Sequence, residues 1–352
     1  MVNVSKVFRG ETLVEPALEE CHEGLDHIVS AFGLNTKGVT KSIKKPSPTS
    51  RLYEFNNNTP YILRAAPTDI RDSAEAQCFV FNALADQICI KPLMSNGGNY
   101  TFQTGDEFWT CYPKVAGHQT LCMPENLDNL LAAAQEFERG IIGISQTSRI
   151  ENIPFVDMRA SFWPNMIDEI EAGFQDSDSL LYGHLSSEVH DLLTSMKLEI
   201  GQRLEALTEL TFERELVHYD MHHANIIQSP DGSLCFIDFE DIVWADRKVA
   251  LAHAIFKWAR QCIYLDANSF SEVVTWLKYK CPENLSEFAV KPGSVGGLEN
   301  YILARIFSDL ALIIESVTKD RKLDFVYDYN KKVSNLIEAL LLFEHSGGLH
   351  EL

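Results

Sequence analysis

The sequence predicts an α+β chain in two unequal lobes: a small antiparallel β lobe with one helix over residues 1–115, and a large, mainly helical lobe over residues 116–352. Three observations carry this. Before Gly117 the apolar residues fall in short β-rich runs separated by turn signals. After it they recur at helical spacing, in stretches too long for strands. The exception is one hairpin, "ANIIQ" and "LCFIDF" around the turn "SPDG", which interrupts the helices.

Taken in order, Leu18 to Phe32 has helical spacing of apolar residues and predicts a helix. "TKGVTKSIKKPSPTSR" follows, a Ser/Thr/Pro loop carrying Lys37, Lys41, Lys44, Lys45 and Arg51. "RLYEF" and "PYILRA" are short strands joined by "NNNT", a strong turn signal. Asp72 or Ser73 caps the next helix, "SAEAQCFVFNALAD". "NGG" turns the chain and "FWTCYPKV" forms another strand, with a connector from Pro113 to Gly117. Five segments then show helix periodicity: "ENLDNLLAAAQEFERGII", "SSEVHDLLTSMKLEIGQRLEAL", "VALAHAIFKWARQCIYL", "GLENYILARIFSDLALIIESV" and "KKVSNLIEALLLFEH".

Composition narrows the function. The net charge of −20 is unevenly placed: residues 1–120 hold 11 Lys/Arg against 13 Asp/Glu, and the rest hold 19 against 37. Such a chain lacks the basic surface that phosphate-backbone binding needs, so a nucleic-acid partner is not expected. No apolar run is long enough to span a bilayer, so no membrane partner is expected. The N-terminus has no signal-peptide apolar segment, and the eight cysteines form no CxxC pair. These features point to free thiols in a reducing, cytoplasmic setting. The acidity serves solubility, or holds a cationic or hydroxyl-rich substrate in the C-terminal part. Oligomeric state stays open.

The chemistry concentrates in "HYDMHHANII" and "FIDFED". Metal hydrolysis is one reading, with His218, His222, His223 and Asp220 as zinc ligands. It lacks an HExxH glutamate and a second ligand cluster downstream. Phosphoryl transfer is the stronger reading. Asp220 and Asn225 form His-x-Asp-x-x-x-x-Asn, the kinase catalytic-loop spacing. There the Asp accepts the hydroxyl proton and the Asn offers an amide oxygen to magnesium. Asp238, thirteen residues after Asn225 at the end of an apolar strand, stands as the second magnesium ligand. Either half alone is weak, but in this order and spacing they are specific.

These motifs, with "CFIDFEDIVWADRKVALAHA", resemble the aminoglycoside phosphotransferase and choline kinase superfamily of small-molecule kinases over roughly residues 35 to 260. The resemblance implies a two-lobed protein-kinase-like fold, ATP and magnesium as cofactors, and a small-molecule hydroxyl acceptor of amino sugar, sugar or amino alcohol type. It places residues 1–115 as the nucleotide-binding lobe. Residues 116–352 then carry the catalytic loop, metal site and acceptor site. It further implies that Arg64 replaces the phosphate-binding Lys and that Glu75 pairs with it. Ser50, in a glycine-free phosphate loop, caps phosphate oxygens. The Pro113 carbonyl and Val115 N–H face the adenine. Glu240 and Asp241, just past the metal site, are expected with Asp220 at the acceptor, and His218 braces the loop. A protein kinase fits less well, because "FIDFEDIVWADRK" runs straight into a helix with no Ala-Pro-Glu segment. A nucleotide-binding pseudokinase scaffold is the rival of another class. It would call for the loss of Asp220, Asn225 or Asp238, and all three are present.

Overall fold

The computed structural model describes residues 18–20, 24–43, 51–84, 88–148, 150–158, 160–178, 181, 185, 187–281, 285, 297–318 and 326–346. In the N-terminal part these form β1 (Leu18–Glu20), α1 (Asp26–Ala31), β2 (Val39–Ile43), β3 (Arg51–Asn57), β4 (Thr59–Pro67), α2 (Arg71–Ala83), β5 (Phe102–Thr104) and β6 (Glu107–Pro113). The strands make one antiparallel sheet in the order β1-β2-β3-β4-β6-β5. The "NNNT" turn closes β3 onto β4 through Asn58, whose φ of 64° is a left-handed conformation that Asn tolerates.

The helix expected over Leu18 to Phe32 is shorter than its periodicity suggested. Leu18–Glu20 instead pairs with Lys41–Ile43, and among the described residues of this stretch only Asp26–Ala31 is helical. The open edge of β2 supplies backbone partners there, and sheet pairing outweighs the local pattern.

On β4, Leu63 and Ala65 join Ile28, Val29, Phe55, Trp109 and Cys111 in a closed apolar cluster beneath α1. Strand alternation sends the intervening Arg64 to the opposite face. Helix α2 buries Cys78, Val80 and Phe81 in the main core.

The described residues after Pro113 include β7 (His118–Gln119), α3 (Leu127–Thr147), α4 (Met166–Gln175), α5 (Ser187–Leu207), β8 (Glu215–His218), β9 (Ile226–Gln228), β10 (Leu234–Phe236), β11 (Ile242–Ala245), α6 (Arg247–Leu265), α7 (Phe270–Thr275), α8 (Leu298–Thr318) and α9 (Val326–Ser346). The expected hairpin is present as β9 and β10, with Ile226 opposite Phe236. A second pair, β8 and β11, was not expected. Both are four-residue buried runs, too short for alternation to declare them.

Helix α6 is the axis of the C-terminal part: every residue from Val249 to Ile263 is buried. A helix enclosed on all sides should be apolar all round, which makes its His253, Lys257, Arg260 and Gln261 conspicuous. Asp246 starts it. One carboxylate oxygen accepts the N–H groups of Lys248 (2.8 Å) and Val249 (3.2 Å), and the other accepts that of Glu213 (2.7 Å). With Asp246 buried, Asp246→Ala should cost about 1–2 kcal/mol through loss of the cap. Urea unfolding measures it, and a midpoint equal to that of wild type contradicts the capping role.

Among the described residues no helix is long and apolar enough to cross a membrane. Their cysteines, Cys78, Cys89, Cys111, Cys122, Cys235, Cys262 and Cys281, are all free.

Candidate active site

The loop after β8 carries Asp220, and the β9–β10 hairpin then returns the chain to it. The register sets the spacing. Ile226 opposes Phe236, and the Ile237 N–H donates to the Asn225 carbonyl at 2.9 Å. Asn225 and Asp238 therefore stand at the two open ends of one hairpin. The Asn225 amide nitrogen donates to the Asp220 carbonyl at 3.0 Å. Its hydrogens are thus directed to the loop, and its side-chain oxygen is the atom suited to a cation. Asp238 has φ 66° and ψ 65°, left-handed for a residue with a side chain. Such backbone is kept where the surroundings over-determine it, which is common at functional sites.

His218 locks the arrangement from beneath. It is fully buried, and its Nε2 donates toward the carbonyls of Asp238 (3.0 Å) and Ile237 (3.3 Å). Its Nδ1 accepts the Asp220 N–H at 3.4 Å. This pattern requires the neutral imidazole. Burial pushes the His218 pKa down accordingly, against the pull of Asp238 and Asp220. The ring packs against Phe81 and Phe137, and Phe137 stacks on Phe236 at 4.2 Å. Two helices hold the loop from the other side. Trp258 of α6 donates to the Met221 carbonyl at 2.9 Å, and Arg305 of α8 donates to the Tyr219 carbonyl at 2.8 Å. The residues on either side of Asp220 are thereby pinned.

The Asp220 carboxylate is ionised in this setting. Burial raises its pKa, but His222, Lys257, Arg305 and Lys332 outweigh burial and hold it below the ordinary carboxylate range. His222 Nε2 lies 3.6 Å from the Asp220 carboxylate. Asp241 behaves oppositely: burial, with Asp238 and Asp220 nearby, drives its carboxyl well above the usual range.

On the N-terminal side the expected residues divide. Arg64 is buried and reaches the site, but it pairs with Glu240 and not with Glu75. Glu75 accepts the N–H groups of Tyr100 and Thr101, each at 2.7 Å, so its oxygens anchor that loop. Gln77, two residues further along α2, holds the Glu240 and Ile242 carbonyls at 2.5 and 2.8 Å, bringing Glu240 to Arg64. This corrects one expectation: the partner of Arg64 is Glu240, from the loop after Asp238, and not Glu75. Among the described residues the Arg64 Nε has no hydrogen-bond partner. Ser50, with Ser47 and Thr49, lies outside the described residues.

The lobe-joining segment passes close to the catalytic hairpin. Pro113 ends β6 opposite Tyr61, the Lys114 N–H donates to the Pro60 carbonyl at 2.9 Å, and Val115 packs half-buried on the main core. Gly117 has φ +142°, and a Cβ there would meet the Gln228 carbonyl oxygen at 2.2 Å. Only glycine lets the connector lie this near β9, with which β7 then pairs.

The rival zinc site gains nothing from the fold: no three His, Cys, Asp or Glu of the described residues are grouped as metal ligands.

A family model described as "Phosphotransferase enzyme family" matches residues 49–267, the span that runs from β3 through the catalytic loop to the end of α6. The chain belongs to this family. The phosphotransferase is thus read as a small-molecule kinase on both its catalytic-loop spacing and its family. No curated protein matches it. Among solved structures it is similar to the spectinomycin phosphotransferase APH(9)-Ia in complex with ADP and spectinomycin, at 11% identity and TM-score 0.54, covering 85% of this chain and 92% of that one. The amicoumacin kinase hAmiN, in complex with AMP-PNP, Ca2+ and Ami, is similar at 12% identity and TM-score 0.51, covering 84% and 87%. A thermostable mutant of aminoglycoside phosphotransferase APH(4)-Ia, in ternary complex with ADP and hygromycin B, is similar at 16% identity and TM-score 0.50, covering 90% and 98%. At these identities the likeness is one of fold, and the fold is the two-lobed kinase-like one.

Several groups of the phosphotransferase's site carry no sequence motif. Lys257, Arg305 and Lys332 come from three helices that meet only in the folded chain. A signal was nonetheless present: charged residues inside "VALAHAIFKWARQCIYL", an otherwise apolar helix. Tyr112 was also missed. It lies on β6 just before Pro113, its ring meets Phe239 edge-on at 5.8 Å, and burial pushes its hydroxyl pKa well up.

Proposed function

We propose that the protein transfers the γ-phosphoryl group of ATP, with magnesium, to a hydroxyl of a small molecule of amino sugar, sugar or amino alcohol type. The observation that carries this is the convergence of Asp220, Asn225 and Asp238 on one hairpin mouth, in the order and spacing the chemistry needs. Residues 1–115 serve as the nucleotide lobe and residues 116–352 carry the catalytic loop, metal site and acceptor site.

In this reading Asp220 accepts the proton of the acceptor hydroxyl as its oxygen attacks the γ-phosphorus and ADP leaves. The cations around Asp220 keep it ionised for that role. Asn225 and Asp238 offer hard oxygens that suit magnesium, which would neutralise charge on the phosphates when bound. Arg64 takes phosphate oxygens with its fork, and its unpartnered buried Nε supports this. Glu240 then competes with the nucleotide for Arg64, and nucleotide entry requires that pair to open. Pro113 and Val115 receive the adenine edge. Asp241, close to Asp220 and Asp238, suits an amine or a sugar hydroxyl on the acceptor.

Magnesium keeps several waters and leans on phosphates, so ATP and magnesium should bind together. In thermal-shift measurements the two together should raise Tm well beyond either alone. ADP release across a panel of hydroxyl metabolites should then find the acceptor. A large shift with zinc alone, removed by Asp220→Ala, would instead revive the hydrolase.

A further inference from the structure

The turn that leads from Asp238 into β11 is held from two sides. From one side His218 donates to the carbonyls of Ile237 and Asp238, and the Tyr219 N–H donates to the Asp241 carbonyl at 2.8 Å. From the other side comes a residue of the N-terminal part. The Gln77 side-chain nitrogen, on α2, donates to the carbonyls of Glu240 and Ile242 at 2.5 and 2.8 Å. A primary amide carries two N–H groups on one nitrogen, so a single Gln can bridge two carbonyls. Gln77 is 3% exposed, and its bridge ends where β11 begins.

Helix α2 is a firm seat for this side chain, because it is fixed to the same hairpin. Phe81, one turn further along, packs against His218, Phe137 and Phe239 at ring distances of 6.1, 5.7 and 6.1 Å. Beyond the helix the Ile90 N–H donates to the Phe236 carbonyl at 3.1 Å, and the Phe236 N–H donates to the Ile88 carbonyl at 2.8 Å. Asp238 needs support on its far side as well as from His218. Its φ of 66° is disfavoured for a residue with a Cβ and persists only where the surroundings impose it. With Gln77 gone, the carbonyls of Glu240 and Ile242 lose their donor and the turn is free to relax.

We propose that Gln77 is a positioning residue: it clamps the turn after Asp238 and so sets the Asp238 carboxylate for magnesium before the nucleotide arrives. This rests on the reading of Asp238 as a magnesium ligand and adds to it a residue that need touch neither metal nor nucleotide.

The test compares the full wild-type chain with Gln77→Met, which keeps the length of the side chain and removes its donors. Amide hydrogen exchange is followed without ligand, and ADP affinity is measured by calorimetry with and without magnesium. In the variant, exchange at Asp241 and Ile242 should rise clearly while the β3–β4 hairpin keeps its rate. The factor by which magnesium tightens ADP should fall ~10-fold or more, the usual effect of losing a group that orients a metal ligand. Affinity for ADP alone should not fall, since Arg64 is untouched. Gln77→Glu, of the same shape but turning carboxylate oxygens toward the two carbonyls, should act at least as strongly. If Gln77→Met does not fold, Gln77→Asn, too short to bridge both carbonyls, takes its place with the same expectation. Unchanged exchange at Asp241 and Ile242, an unchanged magnesium factor, or ADP binding weakened equally with and without magnesium each overturn the proposal. The last outcome would mean that Gln77 only packs α2 against the hairpin. A turn loosened in the variant, in a protein whose wild type binds ADP no better with magnesium than without, would support the clamp and count against the reading of Asp238.

Discussion

Asp220→Ala is expected to lower kcat by ~10²–10⁴-fold, the usual range for loss of a general base, while nucleotide binding stays nearly intact. The geometry makes the two effects separable. Asn225 is held by the Asp220 backbone carbonyl, and His218 by the backbone of residues 220, 237 and 238, so none of these bonds uses the lost carboxylate. The loop stays pinned by Trp258 and Arg305 through the carbonyls of Met221 and Tyr219. Asn225 and Asp238 therefore keep their places. What disappears is the ionised acceptor for the substrate proton. Single-turnover rates with the best panel substrate, beside the affinity for ATP with magnesium, check both halves. A variant turning over at the wild-type rate would show that another group takes the proton.

The second large effect is on stability. Arg260 and Glu338 form a two-pronged ion pair between α6 and α9, with side-chain exposures of 4% and 0%. Removing one partner of a buried pair strands the other charge, at a cost of roughly 3–5 kcal/mol. Glu338→Ala should fall in this range, because the Arg260 guanidinium is buried and lies near Lys257. Replacing both residues with apolar ones of similar volume should recover much of the loss, since the pair's own desolvation penalty goes with it. Urea unfolding of the two single variants and the double one measures this. A Glu338→Ala midpoint near that of wild type would mean that Arg260 finds another partner or reaches water.

The legible parts of the protein share a physical character: their signals are local. The β9–β10 hairpin is announced by "SPDG" between two apolar runs, and the β3–β4 hairpin by "NNNT", because turn geometry demands particular residues. Asp220, Asn225 and Asp238 are legible for a related reason. A two-strand hairpin of fixed length puts its ends together, so spacing along the chain becomes distance in space. Other features were illegible because their partners are remote. Leu18–Glu20 reads as helix until the edge of β2 is there to bind it. β8 and β11 are ambiguous apolar runs until they meet.

The same division runs through the site. Residue types at the hairpin ends and in the loop after β8 point to phosphoryl transfer, the class of chemistry that the family match shows. Pairing between charges is another matter. Arg64 could be expected to seek the glutamate of α2, yet Glu75 is claimed by two backbone N–H groups and Gln77 carries Glu240 across the cleft in its place. A chain with net charge −20 gives no hint that Asp220 is held ionised by nearby cations. Lys257, Arg305 and Lys332 lie on helices separated by tens of residues, and only packing brings them beside Asp220. Local turn chemistry can be read along the chain because it involves neighbours in sequence. Long-range electrostatics cannot, because it depends on distances and burial that exist only once the helices have packed.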